Sequence, residues 1–232
     1  MNYSPAFNNF GTVASAPDYV RAEFIRKVYN LLFSAILVTV VSGYMFVQPG
    51  LLQAALAMRG LLCILTFVTI FAMMFTRKMS GANLFCYYAF AVLQGALIGP
   101  LLYFVDKYAP GIPLQAGIVT IGVFGGLSAY AFQTRKDFSY MGGFLFAALI
   151  GLVISGIVMM FFHNSLMATI YSFFGVMIFS GYVLYDTSQI IHKLTPSEAV
   201  DGAISLYLDF LNLFLFILQL LMQFSGNGRS ND

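Results

Sequence analysis

The sequence contains few charged residues. Asp, Glu, Lys and Arg make up 9% of its 232 residues and hydrophobic residues make up 60%, whereas soluble proteins average about 25% charged residues. So few charges cannot cover the surface of a water-soluble domain, and the composition therefore indicates an integral membrane protein that lies in a lipid bilayer. Acids and bases nearly cancel at a net charge of +2, which excludes the broad basic surface that nucleic-acid binding requires.

Cysteines and cofactor motifs are also scarce. The two cysteines, Cys63 and Cys86, lie in apolar runs without spaced His or Cys partners, which excludes a disulfide scaffold and a zinc site. The sequence has no phosphate loop, nucleotide fingerprint or haem ligand pair, so we expect no organic cofactor and no enzymatic activity. Residues 1–27 lack the compact apolar core of a signal peptide, so we expect the first apolar span to direct membrane insertion.

Seven apolar stretches are long enough to cross a bilayer. A hydrocarbon core about 30 Å thick requires a helix of about 20 apolar residues, because lipid cannot satisfy free backbone groups. The stretches run from Val28 to Val47, Gly60 to Thr76, Asn83 to Phe104, Pro113 to Gln133, Tyr140 to Phe162, Leu166 to Tyr185 and Ala203 to Phe224. The sequence therefore predicts an all-α polytopic membrane protein with seven transmembrane helices in residues 28–224, an N-terminal segment in residues 1–27 and a tail in residues 225–232.

The orientation of the spans follows from the distribution of Lys and Arg, which stay preferentially on the cytoplasmic side. Eight of these residues fall on one side of the seven spans: Arg21, Arg26, Lys27, Arg77, Lys78, Arg135, Lys136 and Lys193. The other side has three, Arg59, Lys107 and Arg229. We therefore expect a cytoplasmic N-terminus. The compact loops favour a bacterial inner membrane, and an organelle membrane is the alternative.

Small residues recur at intervals of four in the middle spans. The pairs are Gly95 with Gly99, Gly122 with Gly126, and Gly151 with Ser155. Such spacing lets two helices approach closely in lipid, so we expect these positions to be packing faces.

Two of the nine acidic residues stand apart from the tails and loops. Seven of the nine, Asp18, Glu23, Asp106, Asp137, Glu198, Asp201 and Asp232, fall outside the predicted spans, whereas Asp186 ends span six and Asp209 lies inside span seven. An ionised carboxylate in mid-membrane costs roughly 2.5–3.5 kcal/mol or more, so each needs a partner, water or a proton. The topology puts both acids in the cytoplasmic half, where they can meet. Arg77 ends span two at a similar level and could reach them, although an interfacial anchor is an equally good interpretation.

Span seven carries a polar stripe. Its members are Ser205, Asp209, Asn212, Phe216, Gln219 and Gln223, at steps of three or four residues. A polar line on an apolar helix must face protein or water, so we expect helix seven to be central, with Ser205, Asn212 and Gln219 as candidates for lining a pathway. Tyr182 and Gln189 share a face with Asp186 on span six and are further candidates. Hydrogen bonding that only holds helices together is the alternative.

Two carboxyl groups held together in a low-dielectric site cannot both ionise easily, so we expect Asp186 and Asp209 to share a proton and act as a pH switch. When both carboxyl groups are ionised, they would repel each other, attract Arg77 or bind a hard cation through their oxygens. Calcium binds carboxylate and carbonyl oxygen. Two aspartates completed by water would form a weak, transient site suited to leak.

Two segments resemble the Bax inhibitor-1 (transmembrane Bax inhibitor motif) family, in its bacterial form. They are FSGYVLYDTSQIIH, from Phe179 to His192, and AISLYLDFLNLF, from Ala203 to Phe214. The resemblance implies a seven-helix fold with span seven at the centre and a pH-sensitive calcium leak. It also implies that Asp186 and Asp209 are a di-aspartyl pH sensor, with Arg77 as the latch on the first aspartate. The acid that some members carry in span two has no counterpart between Ile64 and Phe67.

Four functions compete at this point. A pH-gated leak for calcium or another cation leads, and a non-conducting regulator of a protease or of a stress or cell-death pathway, acting through a membrane-protein partner, is the second. Proton-coupled cation exchange would use the same two acids. An intramembrane aspartyl protease fits least, because Asp209 lies in Tyr-Leu-Asp and lacks the Gly-x-Gly-Asp context. His163 and His192 border the membrane and are interpreted as structural, although His192 could tune Asp186.

Overall fold

The protein is built from helices. A computed structural model describes residues 11–77, 79–134, 136–162 and 164–228, and this part of the chain contains no strand. Its helices are α1 Asp18–Phe46, α2 Leu51–Ala57, α3 Arg59–Thr76, α4 Ser80–Tyr108, α5 Ile112–Thr134, α6 Gly142–Met159, α7 Ser165–His192 and α8 Ala199–Gly228, with 3-10 turns at Val13–Ser15 and Ser139–Met141. All except α2 are long and apolar enough to cross a membrane. The predicted all-α fold with seven spans is therefore confirmed, whereas Lys78, Arg135, His163 and Arg229 lie outside the described residues.

Several helices extend beyond the predicted spans. Helix α1 begins at Asp18, α7 continues to His192 and α8 begins at Ala199. The prediction that placed Asp18, Glu23, Asp106 and Asp201 in tails or loops is therefore wrong, because all four lie within helices. The physical reason is length: the 29 residues of α1 measure about 44 Å at 1.5 Å per residue. The ends of such a helix extend past the hydrocarbon core, where charged side chains reach water or headgroups.

Helix α2 was not predicted. The sequence Gln48-Pro49-Gly50 indicates only a turn after the first span, yet seven further residues form a helix before α3. Gly50 precedes it with φ 87°, a conformation that glycine adopts without the steric penalty of a side chain. The turn therefore leads into a short helix. Sequence analysis did not predict it, because the criterion was an apolar stretch of about 20 residues.

The chain forms two compact units. The first contains residues 16–108 and 195–207, and so includes α1 to α4 and the start of α8. Its core lies between α1 and α4, where Tyr207 of α8 packs edge-on against Tyr87 and Phe90 with ring centroids 5.8 Å apart. The Tyr207 hydroxyl lies 2.5 Å from Thr39 Oγ1, which also donates to the backbone oxygen of Ala35. The start of α8 is thus anchored by a buried aromatic and hydroxyl cluster.

The second unit contains residues 11–15, 109–194 and 208–232. Helix α7 packs against α5 and α6 within it. Helix α8 contacts α5 through Phe210 and Phe124, with ring centroids 5.4 Å apart. It contacts α7 through Phe216, whose ring stacks on Phe179 at 5.7 Å. The same helix therefore contributes to both units, its first residues to one and the remainder to the other.

Glycines allow α1 and α4 to pack closely. A Cβ atom built on Gly99 would overlap the backbone of Gly43, and one built on Gly95 would overlap the backbone oxygen of Thr39. The predicted packing role of Gly95 and Gly99 is therefore confirmed. By contrast, a Cβ at Gly122, Gly126 or Gly151 would meet nothing within 4 Å among the described residues. The packing prediction is wrong there, because the spacing of small residues permits a close contact without requiring one.

We expect Gly99→Ala to destabilise the protein, because the added methyl group overlaps the backbone of Gly43 and forces α1 and α4 apart. Overpacking of this kind typically costs about 1–3 kcal/mol. The measurement is the thermal unfolding midpoint in detergent. Gly122→Ala is the matched control, since its new methyl group meets open space and alanine favours a helix over glycine. Equal midpoints for the two variants would contradict the close approach of α1 and α4.

Candidate functional site

Two carboxyl groups meet within the second unit. Asp186 lies in α7, six residues before its end at His192, and Asp209 lies in α8. Their carboxyl groups lie within hydrogen-bonding reach of each other. Asp209 is 4% exposed, and Asp186 is partly buried. The structure thus brings together the two acids that the sequence singled out, and because α7 is longer than predicted, Asp186 lies inside the helix.

A hydrogen bond between two carboxyl groups requires a proton on one of them, because an ionised carboxylate only accepts. Asp209 Oδ2 is buried and has no hydrogen-bond partner in the described part of the chain. The described residues therefore supply no donor to this oxygen. A single shared proton would satisfy the pair and remove one of its two negative charges, and this proton stays a prediction.

Aromatic side chains close one side of the pair. Tyr182 lies one turn before Asp186 and is close enough to both carboxyl groups to interact with their charges. Its ring contacts those of Phe179 and Tyr185, with centroids 5.8 and 6.4 Å away. A phenol placed beside two acids excludes bulk lipid and supplies a hydroxyl group that can donate or accept a hydrogen bond.

Two other buried hydroxyl groups lie in the second unit, that of Thr187 on α7 and that of Ser128 on α5. Neither Thr187 Oγ1 nor Ser128 Oγ has a partner among the described residues. Buried polar atoms usually have partners in proteins, and ordered water commonly supplies them. These two atoms therefore retain hydrogen-bonding capacity for water.

The packing of α8 on α7 fixes the position of Asp209. The ring of Phe216 occupies the space above Gly175, where any Cβ atom would overlap it. Phe216 also contacts Tyr171, with ring centroids 5.4 Å apart. A glycine facing an aromatic ring locks the two helices in one register, which places the carboxyl of Asp209, about two turns away, beside Asp186.

The other candidates for lining a pathway have separate surroundings. Asn212 donates to the backbone oxygen of Leu208 in its own helix at 2.8 Å. Gln189 donates to Ser139 Oγ at 2.8 Å, at the end of α7. Ser205 and Gln219 are half-buried, and Ser205 belongs to the first unit. A pathway-lining role for these residues and Tyr182 stays a prediction.

Arg77 binds two carboxylates in the first unit. Its Nε lies 2.6 Å from Asp201 Oδ2, and its Nη2 lies 3.1 Å from Glu198 Oε1. The hydrogen bond and the charge of Asp201 raise the pKa of Arg77, so the guanidinium stays charged. The predicted latch between Arg77 and Asp186 stays a prediction; the partners found are these two acids at the start of α8.

Sequence analysis missed Glu198 and Asp201 as partners of Arg77, although a signal was present. Thr195-Pro196-Ser197-Glu198 has the spacing of a capping box, in which the last residue reaches back to the first. The structure shows this bond, since the backbone N–H of Thr195 donates to Glu198 Oε2 at 2.9 Å. Recognising the motif would have started the helix at Pro196, three residues before α8 begins, and would have removed Asp201 from the predicted loop. In the structure Asp201 lies in the first turn of α8, where the helix dipole favours an acid.

No group of three or more His, Cys, Asp or Glu side chains that could hold a metal converges in residues 11–77, 79–134, 136–162 and 164–228. A cation at the Asp186–Asp209 pair would therefore complete its coordination with water, hydroxyl or carbonyl oxygen. Such a site would bind weakly, and the transient calcium site stays a prediction.

Seven apolar helices and a buried carboxyl pair between the last two define an integral, multi-pass membrane protein with a titratable centre. Residues 21–226 match the model of the family described as "Inhibitor of apoptosis-promoting Bax1". The chain therefore belongs to the Bax inhibitor family, which confirms the resemblance found in spans six and seven.

Named relatives cover nearly the whole chain. "Protein lifeguard 4" of Mus musculus is 36% identical over 93% of this chain and 91% of its own length. "Golgi anti-apoptotic protein" of Vaccinia virus (strain Lister) is 34% identical over 93% of this chain and 91% of its own length. "Bax inhibitor 1" of Schizosaccharomyces pombe is 32% identical over 97% and 85%. The similarity thus includes all seven spans.

We expect an infrared band from a protonated carboxyl group at neutral pH, because the hydrogen bond within the pair requires a proton. Asp209→Asn should remove this band, since the amide can donate to Asp186 and leave it ionised. Asp137→Asn is the control: Asp137 is exposed, and hydrogen bonds from the Ser139 hydroxyl and backbone N–H lower its pKa, so it contributes no such band. A band that persists in Asp209→Asn would contradict the shared proton.

Proposed function

We propose that the protein is a pH-sensitive cation leak channel, with calcium as the cation and the Asp186–Asp209 pair as sensor and gate. The observation that supports this function is the close approach of two carboxyl groups on different membrane-spanning helices. No purely structural need explains two acids there, because apolar residues would pack two helices in lipid at lower cost.

Proton exchange at the pair changes the force between α7 and α8. With one proton, the two carboxyl groups attract through their hydrogen bond. Without it, two negative charges in a low-dielectric site repel. The ionised oxygens offer the hard ligands that calcium prefers. The proton and the cation thus compete for the same oxygen atoms.

We also propose that Arg77 acts as a latch on Asp186, a contact that the family resemblance implies. Its pairing with Glu198 and Asp201 supports an alternative role, in which it fastens the end of α3 to the start of α8. We also propose a bacterial inner membrane with the N-terminus in the cytoplasm, because eight of the eleven Lys and Arg residues fall on that side.

A second candidate is a non-conducting regulator of a cell-death or stress pathway. It is favoured by the name of one relative, "Golgi anti-apoptotic protein". In that function the acid pair would set the conformation presented to a membrane-protein partner. Proton-coupled cation exchange is a third candidate, which the same two acids would serve.

The test of the channel is calcium flux into proteoliposomes as a function of pH. We expect Asp186→Asn and Asp209→Asn to abolish the pH dependence, because neither variant retains a carboxyl pair that can share a proton. Asp137→Asn, which changes an exposed acid outside the spans, should keep the dependence of the native protein.

Three outcomes separate the candidate functions. Unchanged flux at every pH in Asp209→Asn would contradict a gate at the pair. Proton movement opposite to calcium, in fixed proportion, would favour the exchanger. A folded native protein that passes no calcium at any pH, yet retains a partner in a pull-down from its native membrane, would favour the regulator.

A further inference from the structure

A second cluster of polar side chains lies in the first unit, where the end of α3 meets the start of α8. It consists of Arg77, Asn83, Glu198 and Asp201, called here the Arg77 cluster. All four residues belong to the same unit, and none belongs to the Asp186–Asp209 pair. The cluster contains a second acid and a buried amide, neither of which a simple ion pair requires.

The Arg77 cluster has more negative than positive charge. Two carboxylates face one guanidinium, which leaves a net charge of −1 among these side chains. Both acids are largely withdrawn from water, with side chains 18% exposed for Asp201 and 30% exposed for Glu198. An excess charge at a partly buried site is unfavourable unless a further cation balances it.

Asn83 supplies the independent observation. Its side chain is buried, with 2% of the residue exposed, and its Nδ2 lies 3.5 Å from Asp201 Oδ1. The other atom of the same amide group, Oδ1, has no hydrogen-bond partner within the described residues. The amide nitrogen faces Asp201, and the buried oxygen of the same amide still requires a donor or a cation.

The ligand atoms are therefore all oxygens. Glu198 Oε1, the two carboxylate oxygens of Asp201 and Asn83 Oδ1 are of the type that hard divalent cations prefer. We propose that Asn83, Glu198 and Asp201 form a calcium-binding site at the start of α8, and that the guanidinium of Arg77 occupies it as a tethered competing cation. The inference goes beyond the proposed function, because binding here requires neither conduction nor the aspartate pair.

Arg77 is suited to exchange with an ion. Its side chain is 54% exposed, so it can swing into water without losing buried packing. Glu198 is held in place by the backbone N–H and hydroxyl of Thr195, at 2.9 and 3.0 Å from its Oε2. The carboxylate of Glu198 is thus held in position, whereas the guanidinium of Arg77, which is the competing cation, can move. The native protein should bind calcium weakly, and removing the guanidinium should strengthen the binding.

The test is calcium binding to the purified full-length protein in nanodiscs, followed by calorimetry and by terbium luminescence as a probe of the same site. We expect Arg77→Gln to bind calcium roughly tenfold or more tightly than the native protein, because it removes a competing charge-assisted pair. Adding Asp201→Asn to that variant should abolish the gain. Arg59→Gln, which removes an exposed arginine from the first turn of α3, is the matched control and should bind as the native protein does.

Two further variants make the result decisive. Arg77→Gln combined with Asp209→Asn should keep the gain, which separates this site from the aspartate pair and from the proposed channel. If Arg77→Gln fails to fold, Arg77→Lys keeps the charge, loses the forked geometry and should show a smaller gain. The proposal is overturned if neither arginine variant binds calcium more tightly, or if the gain survives Asp201→Asn.

Discussion

Lipid offers no hydrogen bonds to a carboxyl group, so two acids on membrane-spanning helices must find their partners inside the protein. Asp186 and Asp209 lie within reach of each other, and a hydrogen bond between them requires a proton. The register of α8 on α7, set by Phe216 over Gly175, places the two groups there.

Helix α8 provides polar side chains to both units. Tyr207 ties it to Thr39 in the first unit, and Asp209, two residues later, belongs to the second. Along α8, polar and aromatic side chains alternate within a few residues. Tyr207 and Asp209, which are two residues apart, therefore have different partners. The sequence interpretation of a central helix rested on the polar stripe alone. The structure adds that aromatic residues between the stripe positions provide much of the packing.

The helical fold and the pairing of two acids were predictable because lipid imposes strict rules on length and polarity. Helix ends were less predictable, since α1, α7 and α8 extend past the hydrocarbon core and the apolar pattern stops where lipid stops. Asp201 was missed as a partner of Arg77 for that reason, because it was assigned to a loop although it lies in α8. Close packing was foreseen at Gly95 and Gly99 but wrongly at Gly122 and Gly126, since spacing alone does not identify a neighbour.

The two acidic centres balance their charge in different ways. Under the proposed function, the Asp186–Asp209 pair uses a proton, and its state would therefore follow pH. The Arg77 cluster uses a guanidinium, which does not lose its proton in the accessible pH range. Any exchange at that cluster must therefore follow the concentration of a competing cation. A membrane protein with only nine acidic residues would thus have one centre sensitive to protons and, under the proposal above, another sensitive to calcium.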